Sequence, residues 1–196
     1  MTENESSVLR DSVAPLQAQT RRVVLRSLHE DDAAMYCDLY ADAEIMRFIG
    51  APLSRPRALK SFGKALQLTR QRPIQSLYLA VVDKITRRTV GLCNIEALER
   101  RAETGIILNA DSRAYGFATE TLGSTVSMAF GLLPLDEVIV RIAEGHKAAE
   151  KLVRGLGFSR CGGSSNGAID DGRRTWSVGR VKFLSVRGAY AYPAAP

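Results

Sequence analysis

Histidine occurs twice in 196 residues, tryptophan once and cysteine three times. Two histidines cannot furnish a histidine-rich metal centre. Cys37, Cys93 and Cys161 are odd in number, widely spaced and without a CxxC pair, which argues against both a zinc site and a disulfide framework. No metal is therefore expected, and the thiols are expected to be buried or neutral. No apolar run approaches the length that crosses a bilayer, so no membrane partner is expected either. The opening "MTENESSVLRDS" carries acids and hydroxyls where a signal peptide needs a basic region and an apolar stretch, which predicts an intracellular, cytoplasmic protein. Aromatics are not interleaved with basic residues as in a stacking platform for single strands. There is no internal repeat, and the one biased tract is the Gly/Ser-rich "GGSSNGAIDDG".

What is present suits one globular domain. The chain is 45% apolar and 24% charged, with a formal net charge of +6. A positive balance favours anionic partners. The basic residues are scattered in pairs, however: Arg21 and Arg22, Arg55 and Arg57, Arg87 and Arg88, Arg100 and Arg101, Arg173 and Arg174. Pairs at turns and strand ends read as solvated charge, so no specific nucleic-acid partner is expected.

Period and punctuation give the element order. "RVVLRSL" (22–28) reads as a strand, preceded by a loosely held arm over 1–20. "HEDDAAMYCDLY" reads as a helix with acids at its dipole-positive start and His29 in its cap region. "DAEIMRFIG" reads as a short helix, and Ser54 as the cap of a third with Leu59, Phe62, Leu66 and Leu68 at helical spacing. "SLYLAVVD", "VGLCNIEAL" and "TGIILNA" form an antiparallel meander. A helix begins at Gly116, followed by the strand "LDEVIVRIAE", the helix "HKAAEKLVRGL", the strand start "GFSRC" and a last strand "RRTWSVGRVKFL". The order predicts an α+β domain over 21–184, with a mixed, mostly antiparallel sheet flanked by helices and a tail over 185–196.

"RAYGFA" (113–118) stands between a strand and an amphipathic helix. A helix N-terminus offers unpaired N–H groups and partial positive charge, and a glycine there lets a phosphate approach the backbone. On those six residues alone, a plain strand-to-helix turn is the favoured reading, since a short glycine motif carries little without its context. The wider sequence resembles the GNAT superfamily of acetyl-CoA-dependent acyltransferases, in the branch related to ribosomal-protein N-terminal acetyltransferases. Arg113, Gly116 and Ala118 match its Arg/Gln-x-x-Gly-x-Gly/Ala signature. "VVLRSLHEDDAAMYCDLYADAEIMRFIG" (23–50), "AETGIIL" (102–108) and "LVRGLGF" (152–158) resemble its opening elements, fourth strand and last major helix, in the right order.

The resemblance implies a sheet splayed between its fourth and fifth strands, with acetyl-CoA as co-substrate. It places the phosphates on Arg113, Ala114, Tyr115, Gly116, Phe117, Ala118 and Thr119. The pantetheine arm then runs near Ile107 and Leu108, with His146 and Lys151 added from the following helix. The partners implied are acyl-CoA and an amine acceptor, either a protein N-terminus or a small molecule. Family habit adds a homodimer.

Transfer to an amine needs a base, a stabilised oxyanion and a protonated thiolate. Glu103 is the leading base candidate, on one strand face with Gly105 and Ile107. The competing reading is a carboxylate paired with Arg100 or Arg101. Glu96 on the neighbouring strand comes second, and Asp170 and Asp171 read more simply as turn residues. The resemblance breaks at the penultimate helix, where the branch has Asn-x-x-Ser. Here His146 replaces the asparagine and Ala149 the serine, while the tyrosine of other branches falls at Val153. Three accounts stay open: His146 carries protons, water protonates the thiolate, or the chain binds acyl-CoA without turning it over. His146 also reads as a helix cap.

Overall fold

A computed structural model of the chain describes residues 16–113, 116–161 and 172–187. Its elements run β1 (Gln17–Gln19), β2 (Val23–Ser27), a 3-10 turn (Glu30–Asp32), α1 (Ala33–Ala41), α2 (Ala43–Met46), α3 (Arg55–Arg70), β3 (Ser76–Asp83), β4 (Thr89–Leu98) and β5 (Arg101–Leu108). There follow α4 (Ala110–Arg113), α5 (Phe117–Leu132), β6 (Glu137–Ala143), α6 (Lys147–Gly155), β7 (Ser159–Arg160), β8 (Arg173–Gly179) and α7 (Arg180–Arg187).

One eight-stranded sheet has the order β1-β2-β3-β4-β5-β6-β8-β7. Every neighbouring pair is antiparallel except β5 and β6, which run parallel. The meander is β3-β4-β5, and the parallel join falls where a helical crossover, α5, separates the two strands. Each face carries helices. On one, Tyr36, Leu39, Phe62, Ala65 and Leu66 of α1 and α3 pack with Leu28 and Leu92. On the other, α5 buries Phe117, Leu122, Val126, Ala129 and Phe130 against Val23, Leu79, Ile95 and Val138. Small polar residues let α5 lie deep: Thr121, Ser124 and Thr125 are buried, and the Thr125 hydroxyl donates to the Thr121 carbonyl at 2.8 Å.

The helix over 30–41 starts as expected, with a reciprocal cap. Asp31 N–H donates to His29 Nδ1 at 3.4 Å, and His29 N–H donates to the Asp32 carboxylate at 2.8 Å. Ser54 is the N-cap of α3 but makes no capping side-chain bond, and Leu59 is 55% exposed rather than part of the buried stripe.

The strand read as "TGIILNA" begins earlier, at Arg101, and ends at Leu108, and two further boundaries differ more from the sequence reading. The expected arm over 1–20 does not stay outside the fold. Gln17–Gln19 pair with β2, and Leu16 and Ala18 pack on the core, while residues 1–15 lie outside the described set. The expected last strand stops at Gly179 and gives way to helix α7. A strand through "RVKFLSV" would bury Val181 with Phe183. Instead Val181 is 84% exposed and Phe183 is 2% exposed, its ring 6.0 Å from Phe130. Arg180 fixes the turn by donating to the Phe130 carbonyl at 2.7 Å. One buried residue, Phe183, among those described in α7 suffices for a short edge helix, and β-branched residues there mimic a strand pattern. α7 also takes in residues 185–187 of the expected tail.

Cys37 and Cys93 are buried and Cys161 is exposed, all three as free thiols. Burial pushes the Cys93 thiol up to about 12. Among the described residues no helix is long and apolar enough to cross a membrane.

Candidate active site

β5 and β6 pair only from Arg101↔Glu137 to Glu103↔Ile139, then part. Peptide groups alternate sides along a strand. Gly105 N–H bonds the Asn94 side chain at 3.0 Å and Asn109 N–H bonds the Val90 carbonyl at 2.9 Å, both toward β4. The intervening groups therefore turn toward β6, and past the parting these are the peptide groups of Ile106 and Leu108. The sequence reading placed the arm near Ile107 and Leu108. Ile107 turns its own peptide group to β4 and contributes its side chain to the cleft.

The parted strands open a cleft of about 610 Å³, within the range of small-molecule sites. Strand alternation gives it two ends. Ala102 and Leu108 belong to the α5-side core, so Glu103, Gly105 and Ile107 face the α1 side. Ala118, Leu122, Leu152 and Val153 line the α5 end, and Tyr40, Phe48, Tyr78, Glu103, Arg141 and Arg173 line the α1 end. The gap thus runs through the sheet, with a helix N-terminus at one mouth and a mixed aromatic and charged wall at the other.

That wall is tightly partnered. Arg141 Nε donates to both Glu103 oxygens, at 2.9 and 3.0 Å. The partners expected from sequence are engaged elsewhere: Arg100 with Asp136 at 2.5 Å and Arg101 with Glu137 at 3.8 Å. Arg141 lies two residues past the register partner of Glu103, a pairing set by strand register that a linear reading lacks. Arg173 donates to the Ile49 carbonyl, fastening the α2 segment to β8. Tyr40 stacks on Tyr36 with ring centroids 4.5 Å apart, and burial raises its phenol above the ordinary value. Burial likewise raises Tyr78. Neither tyrosine is a site candidate in the sequence, because Tyr40 in α1 and Tyr78 in β3 both read as parts of an ordinary helix and strand pattern.

His146 is the N-cap residue of α6 but makes no capping side-chain hydrogen bond. Its ring stacks on Phe48, 4.1 Å between centroids and 20° between planes, at the cleft wall. Ala149 and Val153 also line the cleft, Val153 at its buried α5 end with 2% exposure. Glu96 sits directly opposite Glu103 across β4 and β5, exposed and outside the cleft lining. Lys151 is exposed on α6, also outside it.

At the other mouth, Gly116 caps α5 with φ +71°, a left-handed conformation suited to glycine. Phe117 is buried under the guanidinium of Arg22, 5.4 Å from the ring centroid. The side chain of Arg113 and residues 114–115 lie outside the described set, as do Asp170 and Asp171.

A sheet parted between parallel neighbours, over the N-terminus of a helix, suits an extended donor threaded through the gap to meet an acceptor on the far side. This is the architecture of an acyl-group transferase. The acetyltransferase (GNAT) domain family matches residues 22–159, and the chain belongs to that family. It is 23% identical over 150 residues to p20, an uncharacterized N-acetyltransferase of Bacillus licheniformis, covering 73% of this chain and 82% of that one. Its fold is similar to that of spermidine N-acetyltransferase from Vibrio cholerae, solved with CoA and spermine. The TM-score is 0.69, with 20% identity over 83% of this chain and 98% of that one. A proposed ribosomal-protein-serine acetyltransferase from Vibrio cholerae is also similar, with a TM-score of 0.67, 16% identity and coverage of 84% and 97%.

Proposed function

We propose that this chain transfers an acetyl group from acetyl-CoA to a primary amine, of a protein N-terminus or a small molecule, by direct attack with both substrates bound. The parting of β5 and β6 beyond Glu103 carries this reading, because it turns the Ile106 and Leu108 peptide groups into a gap beside a helix N-terminus. Unpaired peptide groups in such a gap are costly unless a ligand satisfies them, and an amide-bearing arm does so. The first turn of α5, from Gly116 to Thr119, receives the phosphates. The Ile106 N–H is our candidate to hold the thioester oxygen as charge develops on it.

The amine enters from the α1 end. Glu103 is our candidate to take its proton, directly or through a water. Arg141 bonds both carboxylate oxygens, yet each oxygen keeps a second acceptor site. Glu96, directly opposite Glu103 but exposed and outside the cleft lining, is the second candidate. The His146 ring, held flat on Phe48, is the candidate for returning a proton to the leaving thiolate. A thiolate with pKa about 8.5 also leaves without help.

The experiment is thiol release from acetyl-CoA with a panel of amines across pH. Glu103→Gln is expected to lower kcat/KM by roughly 10²–10⁴. His146→Ala is expected to change the alkaline limb of the pH profile. Tight CoA binding with no thiol released by the unmodified protein would instead support a non-catalytic acyl-CoA-binding module. An unaltered profile in His146→Ala would remove that residue from proton transfer.

A further inference from the structure

The turn joining β1 to β2 is bound to the first turn of α5 through one carboxylate. Glu120, only 15% exposed in its side chain, accepts from the Thr20 hydroxyl at 2.5 Å and from Arg22 N–H at 3.1 Å. Its other oxygen accepts from Arg22 Nε at 2.5 Å. A second guanidinium nitrogen of Arg22 donates to the Gly116 carbonyl at 3.3 Å, and the same nitrogen stands 3.4 Å from where a Cβ on Gly116 would be. Arg22 thus spans the start of α5, from Gly116 to Glu120.

An acid in the first turn stabilises a helix through its dipole. Here it also sets a negative charge at the helix end that is proposed to receive the donor's phosphates. Two like charges held close at an effective dielectric of about 20 repel enough to weaken binding by a factor of ten or more. The fold keeps Glu120 because its hydrogen bonds fasten the β1–β2 turn to α5. The charge therefore has to be cancelled in place, and the guanidinium of Arg22 lies against it.

We propose that Arg22 is a positioning residue for a polyphosphate-bearing donor, acting by neutralising Glu120 so that this carboxylate and the donor's phosphates share one helix end. The inference rests on the donor reading of the preceding subsection. It assigns Arg22 a role through Glu120 rather than through contact with the reacting atoms. It differs from a plain structural tie in one respect: the loss falls on the phosphate-bearing donor alone, and removing the negative charge as well restores it.

The test uses the whole chain with two donors, acetyl-CoA and the phosphate-free thioester S-acetyl-N-acetylcysteamine, together with calorimetric titration of CoA. No CoA binding by the unmodified protein would refute the donor reading itself. Given binding, Arg22→Met is expected to raise KM for acetyl-CoA about tenfold or more while changing KM for the phosphate-free donor by less than about twofold. Adding Glu120→Gln to Arg22→Met is expected to recover most of that loss. A double variant as weak as Arg22→Met, or equal weakening toward both donors, would overturn the proposal and leave a structural tie. Should Arg22→Met not fold, Glu120→Gln alone decides, because it takes one negative charge from the helix end that receives the phosphates. CoA binding at least as tight as in the unmodified protein supports the proposal, and clearly looser binding overturns it.

Discussion

The two halves of β5 differ in what lies beside them. From Arg101 to Glu103 the strand is paired with β4 on one side and β6 on the other. From Thr104 to Leu108 only the β4 side is in register. The paired half is closed by backbone and packing: Ala102 and Val138 are fully buried, and Asp136 N–H donates to the Arg100 carbonyl at 2.8 Å. The Arg100–Asp136 ion pair beside it is exposed and adds little. In the open half each strand is held by its outer neighbour, β5 by β4 and β6 by β8, so the gap needs no support across it. The Glu103–Arg141 pair stands where the two halves meet. One strand can therefore serve as wall and as binding surface, because alternation gives its two edges separate duties.

Proline substitution separates those duties most sharply. It removes one N–H and tolerates extended backbone. Ile106→Pro would delete the donor turned into the gap without taking one from the β4 ladder. The expected outcome is a fall of roughly 10²–10³ in kcat, comparable to loss of one oxyanion donor, with a loss of stability smaller than in the paired half and traceable to the Ile106 side chain that packs on the core. Ala102→Pro would remove a ladder donor in the paired half, lowering stability by about 1–3 kcal/mol through the acceptor left unsatisfied. Denaturant unfolding and steady-state kinetics on both variants check the pair. Equal loss of stability in the two would show that β5 is paired alike along its length.

A smaller effect tests the roof of the open half. α1, which carries Tyr40 to the cleft, is anchored at its start by Asp32, 3% exposed, which accepts from Arg26 at 2.7 and 2.8 Å. Burial by itself would raise the Asp32 pKa, but the bonds from Arg26 and the His29 backbone outweigh it, and the net direction is down. A depressed folded value means stability that is present above the unfolded value, about 3.9, and is lost as pH falls through it toward the folded value. Asp32→Asn is therefore expected to cost about 1.5–3 kcal/mol at neutral pH, the gap to the unmodified protein closing below about pH 4. Urea unfolding at a series of pH values reads this directly. A gap independent of pH would mean that the carboxylate's charge is not what anchors α1.

How much of this was legible follows from the range over which each feature is written. The meander and α5 were legible because alternation and helical period are local, and β3 fell where "SLYLAVVD" placed it. The parallel join with its parting came through the family resemblance. Partner identity was not legible. Glu103 meets Arg141 across 38 positions and Phe48 meets His146 across 98, and nothing in either neighbourhood signals the other. β1 was missed because "QAQ" is polar on an edge, where pairing depends on backbone rather than burial.

The smallest effects test the tight edge of β5 against a place with room. A Cβ on Gly91 of β4 would stand 2.3 Å from the Ile107 carbonyl oxygen and 2.6 Å from Leu108 Cδ2. The first of these is backbone, so β4 and β5 must move apart at the register pair Gly91↔Leu108. Gly91→Ala is expected to destabilise by about 1–3 kcal/mol, as overpacking does. Because the shift is imposed on the last residues of β5, it should also raise KM for the acyl donor. Gly63, exposed in α3, has nothing within 4 Å of such a Cβ. There the same substitution should stabilise by about 0.5–1 kcal/mol through helix propensity alone and leave KM unchanged. Opposite signs in denaturant unfolding are the expected result. A neutral Gly91→Ala would mean that the β4 edge of β5 yields as readily as the β6 edge, and the contrast between the two edges would then fail.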